Sequence, residues 1–175
     1  MDLKDLMIRV TSVSIGDTGA NGAMGATLAE VENLVLDSVM LSKDANDIFD
    51  LEVEDADAPI LSVIAKAGSF MFTFGTNDMK KENLSLAFGG TEASEKWSAP
   101  VSETVKEQSI KIITRSVDGY HRVIDIPRAM LSTTLNGELK RGTAAAILFE
   151  CKALAPIDGS GDPISPIQID KIVDA

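Results

Sequence analysis

Gly68–Gly90 reads GSFMFTFGTNDMKKENLSLAFGG. Phe70, Phe72 and Phe74 alternate with Met71 and Thr73, so in an extended chain the three rings share one face. Gly75 breaks the alternation. Thr76 or Asn77 can accept hydrogen bonds from the free N–H groups of a following helical turn, and Asp78 suits the positive end of its dipole. Leu84, Ala87 and Phe88 then share one face of a helix. Gly89 offers the left-handed conformation that closes one. The stretch predicts a core strand running into a short helix that packs on a sheet. It carries no chemistry, and it points to a structural β protein more than to an enzyme.

Upstream, Met7 to Ile15 is rich in β-branched residues and reads as a strand. Gly16 to Gly25 holds four glycines and reads as a flexible loop. Thr27 and Glu30 have capping-box spacing, but the run Asn33 to Leu41 that follows is strand-like, and we expect a strand from about Val31. Asp44 to Pro59 is the most acidic segment. Its Asp47, Asp50, Glu52, Glu54 and Asp55 are interleaved with Ile48, Phe49, Leu51 and Val53, so it reads as an exposed loop or β-excursion. Ile60 to Ala65 and Ser69 to Phe74 are strands, or one strand bulged at Gly68.

Downstream, Thr91 to Pro100 is a polar connection holding the single tryptophan, Trp97. Val101 to Ser116 is a long β run in which neither face is cleanly apolar. It reads either as pairing with another subunit or as a partly exposed hairpin. Asp118-Gly119 signals a type I′ hairpin, with Tyr120 to Ile126 as the returning strand. Pro127 suggests a strand end or edge. Asn136-Gly137 is a second hairpin signal, Gly142 marks a bend, and Ala144 to Leu154 is the last strong strand. The sum is mainly β: a β-sandwich or barrel of about seven or eight strands with one short flanking α-helix. Residues 1–155 form one domain, and 156–175, with three prolines, form an extended or disordered C-terminal arm.

The chain has 175 residues, enough for one domain with its own core. Its 27 acidic and 16 basic residues leave a net charge of −11, which argues against a general binder of nucleic-acid backbones. Cys151 is the single cysteine, so an intrachain disulfide framework is excluded. It lies in an apolar run and reads as a buried, inert thiol. His121 is the single histidine, which excludes His/Cys metal sites by count. Beside Arg122 and Asp125 it reads as an exposed or hydrogen-bonded strand residue. The glycine run 19–25 lacks the spacing of a phosphate loop, and neither the acidic run 47–57 nor Asp158–Asp162 has calcium-loop spacing. No catalytic, cofactor or metal residues emerge. The N-terminus lacks a signal-peptide h-region, and no run is long enough to span a bilayer, so folding in the cytoplasm is expected.

Four segments together bear a resemblance to a known family. They are NLVLDSVMLS with the acidic excursion ending EDADAPI; FMFTFGTNDMKKENLSLAFGG; KWSAP around Trp97; and IDIPRAMLSTTLNGELKRGTAAAILFECKAL. Their order, over roughly Val31 to Ala155, resembles the major tail tube proteins of long-tailed bacteriophages, which are related to the tube proteins of contractile injection systems. The resemblance implies a β-sandwich or barrel with a flanking helix, six copies per ring, and rings stacked into a hollow tube. DNA passes through as a non-sticking cargo. It implies that the excursion, with Asp47, Asp50, Glu52, Glu54 and Asp55, contacts the next ring, and that both termini reach neighbouring subunits. The partners implied are further copies and the tape-measure, hub and tail-terminator proteins, without membrane insertion. The location implied is the bacterial host cytoplasm, then the virion tail. The competing reading is a monomeric β-sandwich binding module. Such modules usually present clustered exposed aromatics, whereas this chain has one Trp and one Tyr.

Overall fold

The architecture is mainly β, with one α-helix. It is seen in a computed structural model that describes residues 7, 9–52, 54, 58–102, 104–137 and 144–174. Twelve strands are present among them: β1 (Val10–Asp17), β2 (Ala29–Glu30), β3 (Met40–Lys43), β4 (Asp47–Leu51), β5 (Leu61–Lys66), β6 (Phe70–Thr76), β7 (Thr91–Ala93), β8 (Lys96–Ser98), β9 (Lys106–Thr114), β10 (Tyr120–Asn136), β11 (Ala146–Ala153) and β12 (Gln168–Val173). Helix α1 (Lys81–Phe88) lies between β6 and β7. The main sheet runs in the order β2-β1-β9-β10-β11-β6-β3, with β12 also on β10; β4–β5 and β7–β8 are separate two-stranded hairpins. All pairings are antiparallel. The count exceeds the seven or eight expected because short strands and hairpins escape a reading based on long apolar runs.

Alternation places one set of side chains on the inner face. Val13 pairs with Ile112 and Ile112 with Ile124; Ile15 pairs with Ile110 and Ile110 with Ile126. Leu131 pairs with Cys151, Cys151 with Phe72, and Phe149 with Phe74. All of these residues are buried and form one cluster. Phe74 stacks on Phe149 with ring centroids 4.6 Å apart and on Phe72 at 5.4 Å, offset geometries that aromatic pairs favour. Phe70 is half-buried at the margin of the core, with Lys43 Nζ 5.5 Å from its ring centroid.

The regular ladder does not close into a barrel, but residues 31–35 cross the gap. Val31 N–H donates to Val13 O on one edge, and Val35 N–H donates to Gly75 O on the other. Leu34 bridges to Thr76. The strand expected from Val31 through Leu41 is therefore absent. Asn33 and Asp37 adopt positive φ (53° and 59°), which interrupts extended pairing, and the regular strand begins only at Met40.

Other expectations also need correction. The helix starts at Lys81, with Lys80 in the N-cap position and no side-chain cap. Thr76 instead accepts Asp78 N–H and donates to Glu32 O, while Asp78 Oδ1 accepts Lys80 N–H at 3.2 Å. Gly89 ends the helix at φ 75° and ψ −147°, a positive φ but not the left-handed helical value. Ala87 is buried, and Leu84 and Phe88 are half-buried against the core. Phe88 also meets Trp97, whose indole N–H donates to Gly89 O.

β10 runs straight through Pro127. A register shift between Ile126 and Ala129 accommodates the proline, and Ser109 Oγ donates to Pro127 O. Val101, Ser102, Thr104 and Val105 lie outside any strand, and β9 begins at Lys106, which explains why the longer run had no apolar face. Asp118 and Gly119 take φ of 53° and 77°, as a type I′ turn requires. Asn136 instead pairs with Ala146, so the β10–β11 connection spans 137–145, and the bend expected at Gly142 lies outside the described residues. The glycine-rich segment is tied down rather than free: β1 extends to Asp17, Ala20–Gly22 form a 3-10 turn, and Gly25 N–H donates to Ser109 Oγ. Part of the C-terminal arm, Gln168–Val173, pairs with Tyr120–Asp125 of β10.

Candidate assembly surface

The acidic excursion is the β4–β5 hairpin, inserted between the end of β3 and the start of β6. Its base is held by Asp44 N–H to Ser69 O and by Gly68 N–H to Asn46 Oδ1, both 2.9 Å. Chain approach is so close there that a Cβ on Gly68 would lie 1.9 Å from Asp44 O, so only glycine fits. The ladder pairs Ile48 with Ile64, Phe49 with Val63, Asp50 with Ser62 and Leu51 with Leu61. Directly paired residues share a face. One face is therefore Phe49, Leu51, Leu61 and Val63, wholly apolar. The other carries Ile48 and Ile64 beside a hydrogen bond from Ser62 Oγ to Asp50 Oδ1.

Every described side chain in both strands is exposed. Phe49 is 57% and Ile64 61% accessible. A two-stranded ribbon alone is marginal in water, and contiguous exposed apolar surface marks an interaction site. Of the acidic residues singled out in the sequence, Asp47 pairs with Lys66 at the base and Asp50 faces Ser62. Glu52 and Glu54 follow β4 toward the tip, and Asp55 lies outside the described residues. The apolar side chains, rather than the carboxylates alone, make the surface. Their signal was the doubled apolar pattern of DIFDL and ILSVIA, hydrophobic on both faces of strands that no core covers.

Other polar groups make local hydrogen-bonded contacts. His121 Nδ1 lies 2.5 Å from Asp174 Oδ1, and Ser116 Oγ donates to Asp174 Oδ2. The carboxylate sits between hydroxyl and imidazole, so the ring is not in contact with the hydroxyl it would have to activate. Asp158 Oδ1 accepts the N–H groups of Asp162 and Ser160, which hold its carboxyl below the usual range. Among the described residues no cluster of His, Cys, Asp and Glu could hold a metal ion, and no helix is long and apolar enough to cross a membrane. Burial pushes the Cys151 thiol up to about 12, with Glu150 adding to the effect. No family model matches the chain, and no curated protein sequence matches it.

Proposed function

We propose that the protein is a structural subunit that assembles with copies of itself into rings, stacked as a hollow tube of the phage-tail kind that conducts DNA. The observation that carries this reading is the β4–β5 hairpin, a projecting ribbon with Ile48, Phe49, Leu51, Leu61, Val63 and Ile64 exposed. Such a surface is stabilised when a partner covers it, and a second copy is the partner always at hand. A hairpin that meets a different surface on the next copy makes a head-to-tail contact, which closes into rings or propagates as a stack.

The net charge of −11 supports the same reading, because a tube of acidic subunits repels DNA and lets it slide. The partners in this reading are further copies and the tape-measure, hub and tail-terminator proteins. Assembly takes place in the host cytoplasm, and the product resides in the virion tail. The tube of a contractile injection system is the variant of the reading in which the cargo differs.

Negative-stain electron microscopy of the purified protein across a concentration series tests it, with Phe49→Asp alongside. Rings or tubes from the wild type, lost in the variant, are expected. Tubes that persist in the variant refute the role of the hairpin. Small monodisperse particles at every concentration refute spontaneous assembly.

A further inference from the structure

The longest strand, β10, has two different neighbours along one of its edges. β11 covers Ala129–Asn136 and leaves at Ala153; β12 then returns to cover Tyr120–Asp125. Without β12, alternate residues of the Tyr120–Asp125 stretch of β10 would present unpaired N–H and C=O groups, the kind of edge that accepts a strand from another chain. All six side chains of β12 are exposed, with Ile169 and Ile172 at 46% and 41%, so apolar burial holds it less firmly than it holds the inner strands. Its attachments include the ladder to β10, Lys171 Nζ over the Tyr120 ring at 4.7 Å, and the residue that follows it.

That residue is Asp174, and it is clamped from three sides. Its N–H donates to Gly119 O at 2.9 Å. Its carboxylate accepts from Ser116 Oγ and from His121 Nδ1; an ionised carboxylate only accepts, so Nδ1 carries the proton. The clamp thus fastens the end of β12 to the β9–β10 turn and to the first residues of β10. We propose that β12 is a releasable cover over a strand-acceptor edge of β10, and that the Asp174 clamp is its lock, which keeps the edge from pairing with a second copy.

The charged groups within a few residues of the clamp are Arg115 and Asp118 at the turn, Arg122 on β10, and Asp170 and Lys171 on β12; farther along, β9 carries Lys106, Glu107 and Lys111, and β10 carries Asp125 and Arg128. The Ser116 hydrogen bond, and then that of His121, hold the Asp174 carboxyl below its ordinary range. A lowered folded value means that the clamp is complete above the ordinary carboxylate range and is lost as pH falls through that lowered value. Release is therefore an acid event.

Amide hydrogen exchange of dilute wild type and Asp174→Asn at neutral pH tests the lock, because Asn keeps the size and removes the charge, as acid does. The result expected is loss of protection in Gln168–Val173 and Tyr120–Asp125 with β1, β6 and β11 unchanged, and faster sedimentation of the variant at equal concentration. Ser116→Ala removes one hydrogen bond from the same carboxylate and gives a smaller loss in the same segments, which covers the case of an Asn variant that fails to fold. Unchanged protection in the folded variants overturns the proposal, and loss of protection without self-association overturns the acceptor role. The exchange is read on isolated chains, so its outcome does not depend on whether tubes form.

Discussion

Phe74 and Phe49 have the same side chain in opposite settings, and truncating each to alanine separates what holds the subunit together from what holds subunits to one another. Phe74 is 1% exposed and sits between the rings of Phe72 and Phe149. Phe74→Ala removes its buried surface, opens a cavity and breaks both ring contacts, a loss of about 3–5 kcal/mol. In a chain of this size that lowers Tm by roughly 6–20 °C. Phe49 is 57% exposed, and its truncation changes the stability of the isolated subunit by no more than about 0.5 kcal/mol. Urea unfolding followed by the fluorescence of Trp97, half-buried against Phe88, reads both. The expected pattern is a large shift for Phe74→Ala, none for Phe49→Ala, and loss of assembly in the second. An unmoved midpoint for Phe74→Ala would refute the inner face as the core. A Phe49→Ala midpoint lowered as far as that of Phe74→Ala would mean that the hairpin folds back on its own subunit.

Two further outcomes follow from the side chains around the core. Cys151, with its thiol pushed up to about 12, should not react with a thiol reagent at neutral pH until urea unfolds the chain; rapid labelling of the native protein would contradict its burial. Glu107 receives a two-pronged contact from Arg128, Nε at 2.7 Å and Nη2 at 2.9 Å, which holds its carboxyl below the ordinary value of 4.5. The pair therefore contributes above that value and is lost as pH falls through the lowered one. Arg128→Lys cannot reproduce the fork, so the Glu107 titration midpoint, read by carboxyl NMR, should move upward; an unmoved midpoint would show that the contact does not persist in solution.

The inner face was legible where apolar residues alternate without interruption: Phe70–Phe72–Phe74 placed β6, and Asp118-Gly119 placed the β9–β10 turn. What misled was context that only the assembled sheet supplies. Asn33 to Leu41 is as apolar as a strand, yet Leu34 and Val35 meet the β6 edge while Val31, just before them, hydrogen-bonds to β1, a duty that no local propensity encodes. Pro127 is forbidden in a regular ladder, but the register shift beside it makes room without ending β10. Lys106 lies in the run Val101 to Ser116, whose faces showed no clean apolar pattern. Its ammonium donates to Ser85 O and Leu86 O at the end of the helix, a contact twenty residues away in sequence. The candidate surface was half legible. The acidic excursion was located by its carboxylates, but whether the hydrophobic residues between them were inside or outside depends on which sheet, if any, lies over them.

The pairing of β1 with β9 joins Val13 to Ile112, about a hundred residues apart in the chain. On a ribosome elongating at roughly 5–20 residues per second, β1 emerges about 5–20 s before its partner exists. During that interval its apolar positions have no sheet to join, while β9, β10 and β11 follow one another closely and can pair as they appear. β1 is thus made well before the strand that completes its pairing. Its timing argues that newly made chains carry an open seam for seconds, when chaperones, or the N-terminal strands of neighbouring nascent chains on the same message, have access to it.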